Sequence, residues 1–251
     1  MTTSKSWRAR IAESYWVWRL YHFVVADAVS LQRPTKFKIV YGFLAGNLGR
    51  TADIGCGPGV FTRYLCAHAA EVHAMDIDAA TLCRVRARNR APRNLDFSVA
   101  LADRLPFADR SFDTILLLEV LEHLEDDAAG IREIGRVLDS GGKLVLSVPV
   151  PPGEINEDDP FGHKREGYQL PEMQALLENN GFHVEGYDFA QFKFSRMAER
   201  LVNRWRRWLL LPAPIFLSWL GYMDHLLSYN SRRKGGHLPS CLVVLARKKE
   251  K

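Results

Sequence analysis

The chain has 251 residues, of which 47% are hydrophobic and 25% are charged, and its formal net charge is +5. This length and apolar content suit one folded domain with appended segments and exclude a disordered or fibrous chain. The four cysteines form no CxxC pair, and the first residues lack the apolar run of a secretory signal, so we expect free thiols and a cytoplasmic protein.

The charge is spread unevenly along the chain. Residues 1–50 carry 8 basic and 2 acidic side chains, residues 51–192 carry 13 and 24, and residues 193–251 carry 13 and 3. Basic ends that also contain the tryptophans predict contact with something anionic, either a membrane surface or a phosphorylated substrate. A solvated basic surface with no partner is the alternative.

Short apolar runs alternate with amphipathic runs from residue 50 to residue 148, which predicts β-α-β units in a parallel sheet. The predicted strands are 50–56, 71–77, 94–100, 112–118 and 142–148, and the predicted helices are 59–69, 79–90 and 126–140. We expect the last of these helices to stop at Gly141 and Gly142.

A glycine-rich turn, DIGCGPG, follows the first strand at residues 53–59. It predicts a tight turn at the carboxyl end of that strand, where open α/β sheets bind ligands. Asp76 ends the second strand, and a carboxylate there suits the two hydroxyls of a ribose. The GxGxG spacing is one residue shorter than a dinucleotide fingerprint and no P-loop is present, so a nucleoside without phosphates fits better. We therefore expect S-adenosylmethionine as the cofactor.

Three segments carry a family resemblance: DIGCGPGVFTRYL, LADRLPFADRSFDTILLLEVLEHL and GRVLDSGGKLVLSVP. They resemble the successive motifs of class I S-adenosylmethionine-dependent methyltransferases. The resemblance runs from about residue 48 to residue 192, with 181–189 resembling the sixth strand and 241–249 the last. It implies a Rossmann-like α/β fold with a seven-stranded, mostly parallel sheet and an antiparallel last strand. A nicotinamide-dependent enzyme is the alternative.

The same resemblance implies a set of residues that bind the cofactor, which leaves as S-adenosyl-L-homocysteine. The residues around its methionine part would be Asp53, Gly55, Cys56, Gly57 and Gly59. Those nearer its adenosine would be Asp76 at the ribose, Ile77 against the adenine and Asp103 at the adenine amino group. Glu119, just beyond the fourth strand, would lie beside the methionine and the transferable methyl group.

The string ExxEH places Glu119, Glu122 and His123 within about one turn of each other, and such donors can bind a divalent cation. It resembles the metal-binding segment of ubiquinone-biosynthesis O-methyltransferases and of small-RNA 2'-O-methyltransferases. In the RNA enzymes a further histidine follows the fifth strand, about where His163 stands here. The same string also occurs in class I methyltransferases that use no metal. We therefore expect no metal, with a Glu119, Glu122 and His123 site as the alternative.

The catalytic candidates come from the loop after the fifth strand and from the ExxEH string. His163 lies in a Pro-, Asp- and Glu-rich loop after the fifth strand, at the end of the sheet where active sites lie, and is predicted to act as a general base or to orient the substrate. Tyr168, Glu122 and His123 are further candidates. A loop histidine bonded to a backbone carbonyl is the alternative for His163.

The expected domain plan is an N-terminal helical extension or lid at 1–48, the cofactor-binding core at 49–192, a helical insertion at 193–236, and the last strand with a basic tail at 237–251. Apolar residues and arginines recur on different sides at helical spacing early in the insertion, which predicts a basic amphipathic helix. The uncharged stretch 208–223 is interrupted by Pro212 and Pro214 and is shorter than the about 20 residues of a spanning helix. It is predicted to lie in a membrane interface, with a self-packed lid or a homodimer face as alternatives.

These features predict a cytoplasmic enzyme, peripheral to the inner face of the membrane, that methylates a lipid, an isoprenoid or another hydrophobic small molecule, with oxygen as the favoured acceptor atom. Nucleic acid is not expected as a partner, because no RNA-binding module accompanies the arginines. A sugar or polysaccharide precursor as the acceptor, or a non-catalytic subunit that binds the cofactor and activates a partner, are the alternatives.

Overall fold

The computed structural model describes residues 33–88, 92–151, 162–190 and 241–250. The expected insertion at 193–236 and most of the expected N-terminal extension lie outside these residues. The described helices are α1 (Arg33–Phe43), α2 (Val60–His68), α3 (Ala79–Arg88), α4 (Asp127–Val137) and α5 (Leu170–Asn179). The described strands are β1 (Arg50–Ile54), β2 (Glu71–Asp76), β3 (Leu95–Val99), β4 (Phe112–Leu118), β5 (Leu138–Pro149), β6 (Phe182–Ala190) and β7 (Cys241–Lys248).

The seven strands form one sheet in the order β3-β2-β1-β4-β5-β7-β6. The pairs from β3 through β5 are parallel, whereas β7 is antiparallel to both of its neighbours. This confirms the predicted mostly parallel sheet with an antiparallel last strand. The order reverses at β1 and β4, so the loops that follow these two strands border the crevice where such sheets bind ligands.

Side chains on the two faces of the sheet belong to two separate hydrophobic clusters. On β1, Ala52 and Ile54 join the cluster that contains Ile131 and Ile134 of α4. The other cluster packs Leu116 of β4 against Val40 of α1, Leu44 just after α1, Leu65 of α2 and Leu82 of α3. Successive side chains of a strand point to opposite faces of the sheet, and helices bury both faces. This explains why the strands are apolar along nearly their whole length.

The boundary between α4 and β5 differs from the prediction. The helix ends at Val137 and the strand begins at Leu138, before the glycines that were expected to stop the helix. Leu138 is fully buried and pairs with Phe112, and the register then shifts so that Lys143 pairs with Thr114. Burying Leu138 against β4 therefore ends the helix early, and Gly141, with φ of 68°, lies in the irregular stretch.

Among the described helices, none is both long and apolar enough to cross a membrane.

Candidate active site

In the glycine-rich turn after β1, two glycines lie against valine side chains and a third faces open space. A Cβ atom on Gly55 would collide with the side chain of Val120, and one on Gly59 would lie 2.6 Å from Cγ1 of Val85. At Gly57, whose φ is 49°, a Cβ atom would meet nothing within 4 Å. The backbone of Gly57 therefore faces open space at the carboxyl end of the sheet, where a ligand can approach it closely.

Asp53 supports this turn from within. Its side chain is only 4% exposed, and Oδ2 accepts a 2.6 Å hydrogen bond from Thr62 Oγ1 of α2. Burial raises the pKa of Asp53 to about 6, helped by the nearby Asp76 and opposed by the Thr62 hydrogen bond. The side chain thus joins β1 to α2 across the turn, and its role at the methionine part of the cofactor stays a prediction.

Cys56, in the middle of the turn, is buried and donates its backbone N–H to Met75 O at 2.9 Å. Burial raises the pKa of its thiol, and the carboxylates of Asp53 and Asp76 raise it further. The thiol therefore stays protonated, which suits packing rather than nucleophilic chemistry. All four cysteines are free.

Asp76 ties the glycine-rich turn to the end of β2. Its Oδ2 accepts the backbone N–H of Gly57 at 2.9 Å, and its Oδ1 accepts that of Asp78 at 2.9 Å. A carboxylate has about four lone-pair sites, so each oxygen can accept a further hydrogen bond. The geometry fits the predicted contact with two ribose hydroxyls.

An apolar cavity of about 460 Å³ opens beside the end of β2. The cavity is lined by Ile77 after β2 and by six residues at and after the end of β3. These are Val99, Ala100, Leu101, Arg104, Leu105 and Pro106. Ile77, Val99 and Leu101 are 62%, 56% and 45% exposed, which is high for large apolar side chains. Such a cleft suits a planar aromatic base, so the described residues fit the adenosyl part of S-adenosylmethionine.

Asp103 is exposed in the turn that the Leu101–Arg104 bridge closes. It does not belong to the residues that line the cavity. The predicted contact between Asp103 and the adenine amino group therefore stays a prediction. Ile77 lines the cavity, and its predicted contact with the adenine stays a prediction as well.

Glu119 follows β4 with φ of 54°, a left-handed conformation that is uncommon for residues other than glycine. Its N–H donates to Ser147 O at 2.9 Å, and its Oε1 accepts hydrogen bonds from Ser147 Oγ at 2.8 Å and Cys241 Sγ at 3.5 Å. A strained backbone conformation of this kind persists only where surrounding contacts stabilise it, and such conformations are common at active sites. β5 and β7 thus fix the carboxylate at the carboxyl end of the sheet.

The segment after Glu119 forms a short 3₁₀ turn, Leu121–His123, and the loop after β5 attaches to it. Lys164 N donates to Glu122 O at 2.9 Å, and Tyr168 N donates to Pro149 O at 2.9 Å. A side chain on Gly167 would collide with Pro149 O, so this close approach requires glycine. These contacts place His163 directly beside the turn.

Three predicted site residues meet at this junction. Donor atoms of Glu122, His123 and His163 all lie within 4.8 Å of one another. The rings of the two histidines have centroids 4.6 Å apart with planes inclined by 50°. Glu122 is 1% exposed, whereas both histidines are partly exposed. Glu119 does not belong to this group, so His163 takes the third place in the alternative metal site that the sequence suggested.

Tyr168 has a supporting position. Its side chain is fully buried, and its hydroxyl donates to Leu121 O at 3.3 Å and Asp127 Oδ2 at 3.1 Å. Burial raises the pKa of Tyr168, with Asp127 adding to the rise. Arg165 lies over its ring and also pairs with Asp127 at 3.1 Å. These contacts favour a structural part for Tyr168 over the predicted catalytic one.

Sequence reasoning did not find several residues of the site. Thr62, Ser147 and Cys241 touch the predicted carboxylates from other elements, and a single sequence gives no signal for such long-range pairs. The cavity-lining Val99 and Leu101 did carry a signal, because apolar residues at the carboxyl end of a predicted parallel strand face the crevice where ligands bind.

Comparisons with known proteins agree with this geometry. Residues 52–146 match a family profile described as a methyltransferase domain. This domain belongs to the class I S-adenosylmethionine-dependent methyltransferase superfamily. It contains the glycine-rich turn, Asp76, the apolar cavity beside the end of β2 and Glu119. The cofactor of the domain is therefore S-adenosylmethionine.

Two relatives and one solved structure show the extent of the similarity. The chain is 36% identical to a "Probable S-adenosylmethionine-dependent methyltransferase" of Mycolicibacterium smegmatis over 156 residues, which is 60% of this chain and 59% of the relative. It is 37% identical to the demethylmenaquinone methyltransferase of Corynebacterium urealyticum over 109 residues, 41% of this chain and 44% of the relative. A crystal structure of an S-adenosylmethionine-dependent methyltransferase from Mesorhizobium loti superposes on this chain with a TM-score of 0.57 at 21% identity. The superposition covers 87% of this chain and 100% of the other, so the two proteins share a fold. The chain thus spans between 44% and 59% of the length of these two sequence relatives.

Proposed function

We propose that this protein transfers a methyl group from S-adenosylmethionine to a hydroxyl of a hydrophobic small molecule or lipid. The observation that carries the proposal is the meeting of Glu122, His123 and His163 in the segment that follows Glu119. Glu119 is the residue that the family resemblance predicts beside the transferable methyl group. Glu122 and His123 follow it by three and four residues, so this group of side chains would border the acceptor.

Methyl transfer to oxygen needs alignment and the removal of one proton. The acceptor oxygen attacks the methyl carbon in line with the carbon–sulfur bond, whose electron pair stays on sulfur, so the sulfonium becomes a neutral thioether. The acceptor proton leaves to a base, and the partly exposed imidazoles of His123 and His163 are the candidates for that base. Buried Glu122 beside them would stabilise the positive charge that an imidazole gains.

Two observations support a hydrophobic acceptor. The relative from C. urealyticum is named for demethylmenaquinone, a hydrophobic quinone. Residues 208–223 carry no charge, and the basic residues around them suit an anionic membrane surface. We therefore propose a cytoplasmic protein that works at the inner face of the membrane.

The test measures transfer of radiolabelled methyl from S-adenosylmethionine into a host extract that is then separated into organic and aqueous phases. We expect the label in the organic phase, and we expect His163→Ala to lower it about 100-fold while cofactor affinity, measured by calorimetry, stays unchanged. His183→Ala is the matched control, because His183 is exposed on β6.

The outcomes separate the alternatives. Label confined to the aqueous phase would replace the hydrophobic acceptor with a sugar or polysaccharide precursor. Cofactor binding without label in either phase would favour a subunit that activates a partner. Equal activity of His163→Ala and the wild type would remove His163 from the transfer step.

A further inference from the structure

We propose that Glu122, His123 and His163 form a binding site for one divalent transition-metal ion. One carboxylate and two imidazoles make a mixed oxygen and nitrogen ligand set that suits ions such as Zn²⁺, Fe²⁺ or Co²⁺ better than Mg²⁺ or Ca²⁺, which prefer oxygen ligands. Catalytic zinc sites commonly have three such protein ligands and one open position.

The spacing of the donor atoms fits an ion. Bonds of about 2.0–2.2 Å from nitrogen and oxygen to Zn²⁺ put tetrahedral ligand atoms roughly 3.4 Å apart. The donor atoms here lie within 4.8 Å of one another, so the widest pair must close by about 1.4 Å at most. Small rotations of the two partly exposed imidazoles provide such a change.

Burial and local charge also favour a cation. Glu122 is 1% exposed, and a buried carboxylate is stabilised by a nearby positive charge. The two cationic side chains that follow His163 are already paired with carboxylates, Lys164 with Glu125 at 2.6 Å and Arg165 with Asp127 at 3.1 Å. They therefore add little repulsion at the site.

The backbone holds the ligands in place before an ion binds. His123 and Glu122 share one 3₁₀ turn, and the hydrogen bond from Lys164 N to Glu122 O fixes the residue next to His163. The hydroxyl of Tyr168 bonds to Leu121 O in the same turn. A preorganised ligand set binds more tightly, because less ordering remains to be done on binding.

The place of the site gives the ion a role that rests on the proposed function. An ion with an open position would bind the acceptor oxygen and lower the pKa of its hydroxyl, as bound zinc does for water. With an ion bound, the imidazoles would be its ligands, so solvent water would take the acceptor proton in place of the imidazole that serves as base in the ion-free site. The binding of the ion itself does not depend on any transfer activity.

The test titrates chelator-treated full-length protein with Zn²⁺ by calorimetry and with Co²⁺ by visible absorption. We expect one ion per chain with micromolar or tighter affinity, and cobalt bands typical of bound nitrogen and oxygen ligands. His163→Ala and Glu122→Gln should each weaken binding at least 10-fold, whereas His183→Ala should bind like the wild type. His163 is partly exposed on a loop, so His163→Ala keeps the test valid if Glu122→Gln does not fold, and melting curves check both.

Absence of stoichiometric binding in the wild type would overturn the proposal, as would affinity that His163→Ala leaves unchanged. Loss of binding in His183→Ala to the same degree would overturn it as well. If the protein binds an ion at this site but transfers no methyl group, the metal site stands and the proposed function is refuted. If the protein transfers a methyl group but binds no ion, the proposed function stands and the metal site is refuted.

Discussion

At the scale of single residues, Gly55 and Gly57 have different reasons to be glycine. A Cβ atom on Gly55 would collide with Val120, whereas one on Gly57 would enter the open space where the cofactor is expected. We expect Gly57→Ala to fold, with a strain of about 1–2 kcal/mol from its left-handed conformation, and to lose at least 10-fold in affinity for S-adenosylmethionine. Gly55→Ala should instead lower the melting temperature more strongly. Calorimetric titration and thermal melts of both variants check this, and unchanged cofactor affinity in Gly57→Ala would contradict the assigned cleft.

Asp53 should make the stability of the fold depend on pH. Burial raises its pKa from 3.8 to about 6, so the folded chain holds this proton more tightly than the unfolded chain. The stability that this proton contributes is fully present below about pH 4 and is lost as the pH rises through about 6. Asp53→Asn lacks this titration, so its stability relative to the wild type should increase by about 1–3 kcal/mol between these limits.

Denaturant unfolding of the wild type and Asp53→Asn at several pH values measures the difference. Asp113→Asn provides a contrast of opposite sign. The hydrogen bond from Arg50 lowers the pKa of Asp113, so the wild type should lose stability relative to that variant as the pH falls through the folded-state pKa. A difference between the wild type and Asp53→Asn that stays flat from pH 4 to pH 7 would show that Asp53 titrates normally.

At the scale of secondary-structure elements, Tyr168 connects the loop after β5 to the 3₁₀ turn. Tyr168→Phe removes the hydrogen bonds to Leu121 O and Asp127, so we expect the free energy of unfolding to fall by about 1 kcal/mol. Methyl transfer should fall only several-fold, through the looser position of His163, and cofactor affinity should not change. Tyr187→Phe is the matched control, since Tyr187 is 47% exposed on β6. Loss of transfer by several orders of magnitude with normal stability would instead support the catalytic role first predicted for Tyr168.

The pattern of strands and helices was predictable because burial on two sheet faces leaves a direct mark on the sequence. β1, β2 and β4 lie within one or two residues of their predicted limits, and the glycine-rich turn lies where the motif places it. The start of β5 was not predictable, because it depends on the pairing of Leu138 with Phe112, which is distant in sequence. The partners of Glu119 and the approach of His163 to Glu122 depend on tertiary contacts in the same way.

At the scale of the whole molecule, charge separates the chain into an acidic middle and two basic ends. Residues 51–192 carry 24 acidic side chains against 13 basic ones, whereas residues 193–251 carry 13 basic against 3 acidic. The acidic middle contains the methyltransferase domain, so attraction to an anionic surface must come from the ends. Each basic side chain near such a surface contributes about 1 kcal/mol, and the effect weakens as salt screens it.

We therefore expect the full chain to sediment with vesicles that contain anionic lipid, to bind neutral vesicles more weakly, and to lose binding as the salt concentration rises. Arg200→Glu combined with Arg204→Glu should weaken binding to anionic vesicles at least 10-fold, because four units of charge change within the basic end. Arg63→Glu combined with Arg86→Glu makes the same change of net charge at exposed positions of α2 and α3. That pair should bind nearly as well as the wild type. If both pairs lose binding equally, net charge alone governs the attraction, and the basic ends have no special part in bringing the domain to a membrane.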